Sequence, residues 1–138
     1  MTDERYAIPT TRLAEAQSAR APVWRSRYDG PLTGLPSQIA PSGSLPAFHG
    51  TDAMGIWPGG DGVTGRMHDT WGAFVTTGRP GATGLPAWPT YSREQRPTMI
   101  FDARGSRIEN DPDAERRRAW EDRDWQSAGT WFAFEGLS

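Results

Sequence analysis

Residues 44–52 read SLPAFHGTD, and Ile56-Trp57 follow shortly after. The stretch puts a histidine, His49, directly before a glycine that permits a sharp turn. Residues 30–46 ahead of it are rich in Gly, Pro and Ser, a composition that marks a long loop. Loops of that length inside compact domains are usually functional or mobile. Residues 47–63 read mainly as a continuation of this loop.

Working outward, residues 9–20 predict a short helix, with Pro9 suited to its first turn and Leu13, Ala14 and Ala16 as a weak apolar face. Residues 22–29, PVWRSRYD, predict a strand on which Trp24, Ser26 and Tyr28 share one face. On the other side, residues 64–77 predict a helix. Met67, Trp71, Phe74 and Val75 form its apolar stripe, and Gly78 is placed to end it. A Pro/Gly-rich loop anchored by Trp88 and Tyr91 follows. TMIFD at 98–102 and SRIEN at 106–110 then predict a hairpin turned at Arg104-Gly105. Asp111-Pro112 fits a helix N-cap followed by Pro, opening a last helix over 111–121. Residues 122–138 show no clear period.

These strings, in this order, resemble the type B carboxylesterases, which are α/β-hydrolases. That family carries Leu, Gly, Ala, any residue, His, Gly, any residue and an acid around its catalytic histidine, and SLPAFHGTD is similar. Met67-His68-Asp69 with Trp71, Phe74 and Thr77-Gly78 resembles the helix after that loop. Gly84-Leu85-Pro86-Ala87-Trp88-Pro89-Thr90-Tyr91 resembles the family's Leu-Pro-x-Trp-Pro-x-Tyr segment. Thr98–Asp102 and Asn110-Asp111-Pro112 look like its last strand and the entry to its last helix. Upstream, Ile8-Pro9, Arg12–Ala16, Pro22-Val23-Trp24 and Tyr28-Asp29 look like the preceding helix and strand. There are departures: Pro46 stands where the family prefers Gly, and Met54 and Gly55 replace its usual Pro and aromatic residue.

The resemblance implies that residues 1–121 are the C-terminal part of a carboxylesterase domain, with 122–138 an unassigned tail. The fold class it implies is α/β. The C-terminal portion of an α/β-hydrolase fold would hold about three helices, one sheet strand, a C-terminal hairpin, long loops and an incomplete sheet. It implies His49 as general base of a catalytic triad, with Gly50 and Asp52 in support. In α/β-hydrolases the chain order is Ser, acid, His. No Gly-x-Ser-x-Gly elbow occurs in the sequence. The serine, the triad acid and the Gly-rich oxyanion loop are therefore expected upstream of residue 1. Alone, the chain is expected to be inactive toward esters.

Two routes fit such a chain: a broken or mis-started gene would leave a relic, and a split gene would leave a separate partner chain carrying the serine-containing half. The substrate of the complete enzyme is a small carboxylic ester. The alternative is an esterase-like module that binds protein without catalysis. His68 reads as a solvent-facing structural residue, and Trp71, Trp88 and Trp120 as core. Ser26, Ser42, Ser44 and Ser106 lack elbow context, and Arg116–Arg118 read as the solvated face of a helix.

Composition narrows the field further. The 138 residues fit one domain, with 36% hydrophobic residues and a mean hydropathy of -0.69, values that imply a thin core. Seven Trp, five Phe and three Tyr argue for order. Net charge is -2, all fifteen basic residues are Arg, and no basic face suggests nucleic acid. With no Cys and two histidines 19 residues apart, no cofactor or metal is expected. No apolar run suits a membrane span, and MTDERYAIPT lacks the apolar core of a signal peptide, so the chain as written reads as cytoplasmic.

Overall fold

The strand TMIFD is the centre of the molecule. In the computed structural model, which describes residues 3–33, 38 and 41–121, every residue of Pro97–Asp102 is buried. A strand buried on both faces reads as an apolar run rather than an alternation, as Met99-Ile100-Phe101 does here.

The described elements run in order from a π-helical turn at Asp3–Ala7. Next come α1 (Ile8–Ser18), β1 (Arg25–Gly30), and the two-residue strands β2 (Leu32–Thr33) and β3 (Ser44–Leu45). Helices α2 (Thr51–Ile56) and α3 (Gly62–Thr77) follow, then β4 (Pro97–Asp102), β5 (Arg107–Asn110) and α4 (Ala114–Arg118). β1, β4 and β5 form one sheet in that order. β4 and β5 are the expected hairpin, with Met99 opposite Ile108. β1 joins them in parallel, Arg25 opposite Thr98 and Tyr28 opposite Phe101. The strand expected over 22–29 is thus not separate from the hairpin. It starts at Arg25, because Val23 instead accepts a bond from the Tyr91 amide at 2.7 Å.

The core lies between this sheet and α2–α3. Ile56, Val63, Met67, Met99 and Phe101 pack together, with Tyr28, Trp71, Leu85, Trp88 and Ile108 around them. Trp71 and Trp88 both approach the Phe101 ring, at centroid distances of 6.2 and 6.0 Å. Aromatic edge contacts of this kind contribute about 0.5–1.5 kcal/mol beyond burial. Trp120 is half-buried.

α3 follows the expected helix, and Gly78 ends it with φ 74° and its amide on Phe74 O at 2.8 Å. Its buried face differs from the expected stripe. Val63, Thr64, Met67 and Thr70 are buried, while Phe74 is 48% and Val75 81% exposed. All four buried residues lie in the first nine positions of the helix. Phe74 meets the edge of Trp24 instead, at 6.0 Å.

Two further expectations are corrected. Within residues 47–63, where nine of seventeen positions are loop, the helix α2 at Thr51–Ile56 was not expected. This gives four α-helices among the described residues where about three were expected. The last helix begins at Ala114 with Asp113 before it, not at Asp111, which has φ 48° and so cannot be an ordinary N-cap. Asp111 turns the chain and pairs with Arg117 at 2.8 Å. Asp113 reaches back to β1, 3.0 Å from Arg27 and 3.8 Å from Arg25. The unassigned tail, 122–138, lies outside the described residues, as do 34–37, 39 and 40 of the long loop.

Candidate functional site

His49 stands on a tight corner built by four local devices. The first is Gly50, whose φ of 86° and ψ of -6° match the third position of a type II turn. The closing bond of that turn, Thr51 N–H to Phe48 O, is 3.0 Å. A side chain at Gly50 would meet open space, so the requirement there is conformational.

The second device is Thr51. Its side chain is fully buried, and its hydroxyl donates to Phe48 O at 2.8 Å while accepting from Phe48 N–H at 3.1 Å. One hydroxyl thereby holds both ends of the Phe48 residue on the far side of the corner. The sequence reading passed over Thr51. The available signal was a Thr beside Gly at a helix start, where such hydroxyls bond nearby backbone.

The third device is the approach of the chain to the sheet. Leu32, 1% exposed, pairs with Leu45 across β2 and β3 and so brings the start of the histidine stretch back to the end of β1. A Cβ on Gly30 would sit 3.0 Å from Ala47 N, so the end of β1 lies directly against the residue two before His49. The fourth is α2 itself, whose Gly55 faces Thr64 of α3 and Leu32 of β2 in close contact.

The imidazole of His49 is exposed. Its ring face stacks on Tyr6, with centroids 4.4 Å apart and an interplanar angle of 21°. Among the described residues no carboxylate bonds it. Asp52 follows on the first turn of α2 and is exposed. Burial pushes the Tyr28 phenol above its ordinary range, and the charges of Asp102 and Asp52 push it further. The three expected site residues are therefore neighbours on one corner. The structure gives Gly50 a conformational task, and it places Asp52 on the first turn of α2.

His68 behaves as the sequence suggested. It is exposed, and its Nδ1 lies 2.8 Å from Ile56 O, tying α3 to the end of α2. A groove of about 400 Å³ between Val23, Trp24, Trp71, Phe74 and Trp88 includes none of the three site residues. Among the described residues no cluster of His, Asp or Glu could hold a metal ion, and no helix is long and apolar enough to cross a membrane.

The chain is 31% identical over 133 residues to the para-nitrobenzyl esterase of Bacillus subtilis (strain 168), an alignment covering 86% of this chain and 25% of that protein. A solved para-nitrobenzyl esterase superposes with a TM-score of 0.69 at 32% identity, over 86% of this chain and 25% of its own. The chain belongs to the carboxylesterase family. A carboxylesterase of Geobacillus stearothermophilus superposes with a TM-score of 0.61 at 30% identity, over 80% of this chain and 24% of that one. The phenmedipham hydrolase of Pseudarthrobacter oxydans is 27% identical over 79% of this chain and 24% of its own length. The chain spans about a quarter of the length of these two curated relatives. No protein-family profile matches it. With these relatives, the small three-stranded sheet and its helices are part of an α/β-hydrolase fold.

Proposed function

We infer that this chain contributes the histidine base of a serine carboxylesterase and is inactive without the rest of the triad. The observation that carries this reading is the His49 corner, an exposed imidazole on a turn that Gly50 and Thr51 fix from beneath. A general base must present a ring nitrogen to the hydroxyl it deprotonates, at about 2.6–3.2 Å, without rotating away. His49 has the exposure and the rigid footing for that task. In the complete reaction its Nε2 would take the serine proton as the hydroxyl attacks the ester carbonyl, then return it to the leaving alcohol. A carboxylate on Nδ1–H would hold the tautomer, and backbone amides would receive the oxyanion. No Gly-x-Ser-x-Gly is present in this sequence to supply the nucleophile. A second chain carrying the serine-containing part is the partner this chemistry requires, and a small carboxylic ester is the substrate class.

The test is p-nitrophenyl ester hydrolysis. The chain alone should match buffer. Mixed with the separately expressed remaining three quarters of the Bacillus subtilis para-nitrobenzyl esterase, it should turn ester over, and His49→Ala should abolish that turnover. Turnover by the chain alone, lost on His49→Ala, would overturn the inactivity claim.

One observation favours the second reading, a non-catalytic protein-binding module. Phe48 and Trp57, at the two ends of α2, are 56% and 76% exposed. Large exposed aromatic side chains suit a protein contact. A monomeric chain that melts cooperatively and shows no turnover in the mixture would support this reading over the first.

A further inference from the structure

We propose that Tyr6 is a positioning residue for the His49 imidazole, a role that rests on reading His49 as the base. The two residues are far apart in the chain and meet face to face, with centroids 4.4 Å apart and planes 21° from parallel. The geometry suits a base. Both ring nitrogens of an imidazole lie at its edge, in the ring plane. A neighbour on the face restrains the ring while leaving Nδ1 free for a carboxylate and Nε2 free for a hydroxyl. A neighbour at the edge would block one of them.

Tyr6 itself is held. It lies on the π-helical turn Asp3–Ala7, which continues directly into α1. The wider turn places Tyr6 off the register that a continuous α-helix would give. Thr11 Oγ1 donates to Ala7 O at 2.8 Å, locking the junction. Ile8, Thr11 and Ala14 bury the inner face of α1. Glu15 then pairs with Arg96 at 2.9 Å, immediately before β4. The Tyr6 ring is thus a platform connected to the central strand, and 45% of the residue stays exposed beside the histidine corner. Thr51 fixes the backbone under His49, and Tyr6 fixes the ring above it.

The experiment is NMR on the intact chain, which has only two histidines to assign. A ring stacked on Tyr6 has its Hε1 and Hδ2 signals displaced upfield by the aromatic ring current. Unequal Hα–Hβ couplings report a single side-chain rotamer. Tyr6→Ala should return the His49 signals to free-imidazole positions and average its couplings, while the His68 signals stay in place and certify the fold. Tyr6→Phe should keep the wild-type pattern, because the face contact needs the ring and not the hydroxyl. His49 signals unchanged in Tyr6→Ala, or displaced equally in Tyr6→Phe, overturn the proposal.

Turnover in the two-part esterase separates this claim from the one beneath it. Tyr6→Ala should lower kcat about tenfold with KM unchanged, the scale of one lost stacking contact, and Tyr6→Phe should restore it. Full turnover in His49→Ala removes the base reading and leaves the stack standing. An inactive His49→Ala beside a fully active Tyr6→Ala removes the positioning role alone.

Discussion

Gly65→Ala and Gly72→Ala add the same methyl group to the same helix, α3, and should move stability in opposite directions. In a helix interior, Ala is favoured over Gly by about 0.5–1 kcal/mol, mainly through the freedom the unfolded chain no longer has. At Gly72 a Cβ would meet nothing within 4 Å, so the whole gain should appear. At Gly65 the Cβ would lie 2.3 Å from Gly60 O, a backbone atom. An ordinary carbon–oxygen contact is about 3.3 Å or more, so roughly 1 Å of displacement is required. The Gly60 segment resists it. Thr64 Oγ1 donates to Asp61 O at 2.8 Å, Gly59 N bonds Gly55 O at 3.2 Å, and the His68 ring lies against Gly59. Overpacking of this kind costs about 1–3 kcal/mol. After the helix gain, Gly65→Ala should be destabilised by about 1–2 kcal/mol, and the two variants should differ by about 2–3 kcal/mol. Urea unfolding followed by Trp fluorescence measures both, and the slope should stay constant while the midpoints move apart. A Gly65→Ala midpoint at or above wild type would show that the α2–α3 connection yields freely and refute the reasoning.

Thr51→Val should destabilise the chain by about 1–3 kcal/mol by leaving Phe48 N–H unpaired, and more than Thr51→Ser, which loses only a buried methyl worth about 1 kcal/mol; a Val variant more stable than the Ser variant in thermal melts would contradict the hydroxyl clamp. Asp102 is buried, and hydrogen bonds from Arg104 hold its carboxyl below the ordinary carboxylate range, with Arg107 adding to the effect. A depressed folded pKa stabilises above the unfolded value of about 4 and is lost as pH falls through the folded value. Acid unfolding curves should therefore shift to higher pH with Asp102→Ser, and a coincident curve would discount the pair. Asp113→Ala leaves Arg25, 9% exposed, without its 3.8 Å partner, while Arg27 retains Asp29 at 2.7 Å. The variant should lose about 1–3 kcal/mol, most of it recovered by Arg25→Met in the same chain; calorimetry on the single and double variants decides it.

What the sequence disclosed and what it hid divide along distance. α3 and the β4–β5 hairpin are local patterns, and Gly78 and the Arg104-Gly105 turn punctuate them, so both were legible. α2 was not, because six residues containing Gly55 are too short to display a helical period. Asp111 misled because Asp before Pro suits a helix start, whereas here it is left-handed, its amide bonding Arg96 O and its carboxylate pairing with Arg117. The exposure of Phe74 and Val75 depends on what packs over the end of α3, which no periodicity reports. At the candidate site, the turn at Gly50 was legible from a nine-residue string. Thr51 was readable in principle. Tyr6 was not, since its partnership with His49 exists only once α1 is set against the sheet.

The parallel union of β1 with β4 has a consequence for when the site comes into being. Pairing Arg25 with Thr98 closes a loop of roughly seventy residues, an entropic expense of about 4 kcal/mol that no hairpin or helix incurs. Local pieces such as the β4–β5 turn and the α2–α3 pair can form well before it. The His49 corner lies inside the closed segment. A chain halted before β1 reaches β4 could hold its turn and its Thr51 clamp while the imidazole pointed in no fixed direction. Its stack on Tyr6 spans 43 residues of chain and the turn beneath it spans four, so the turn can form first.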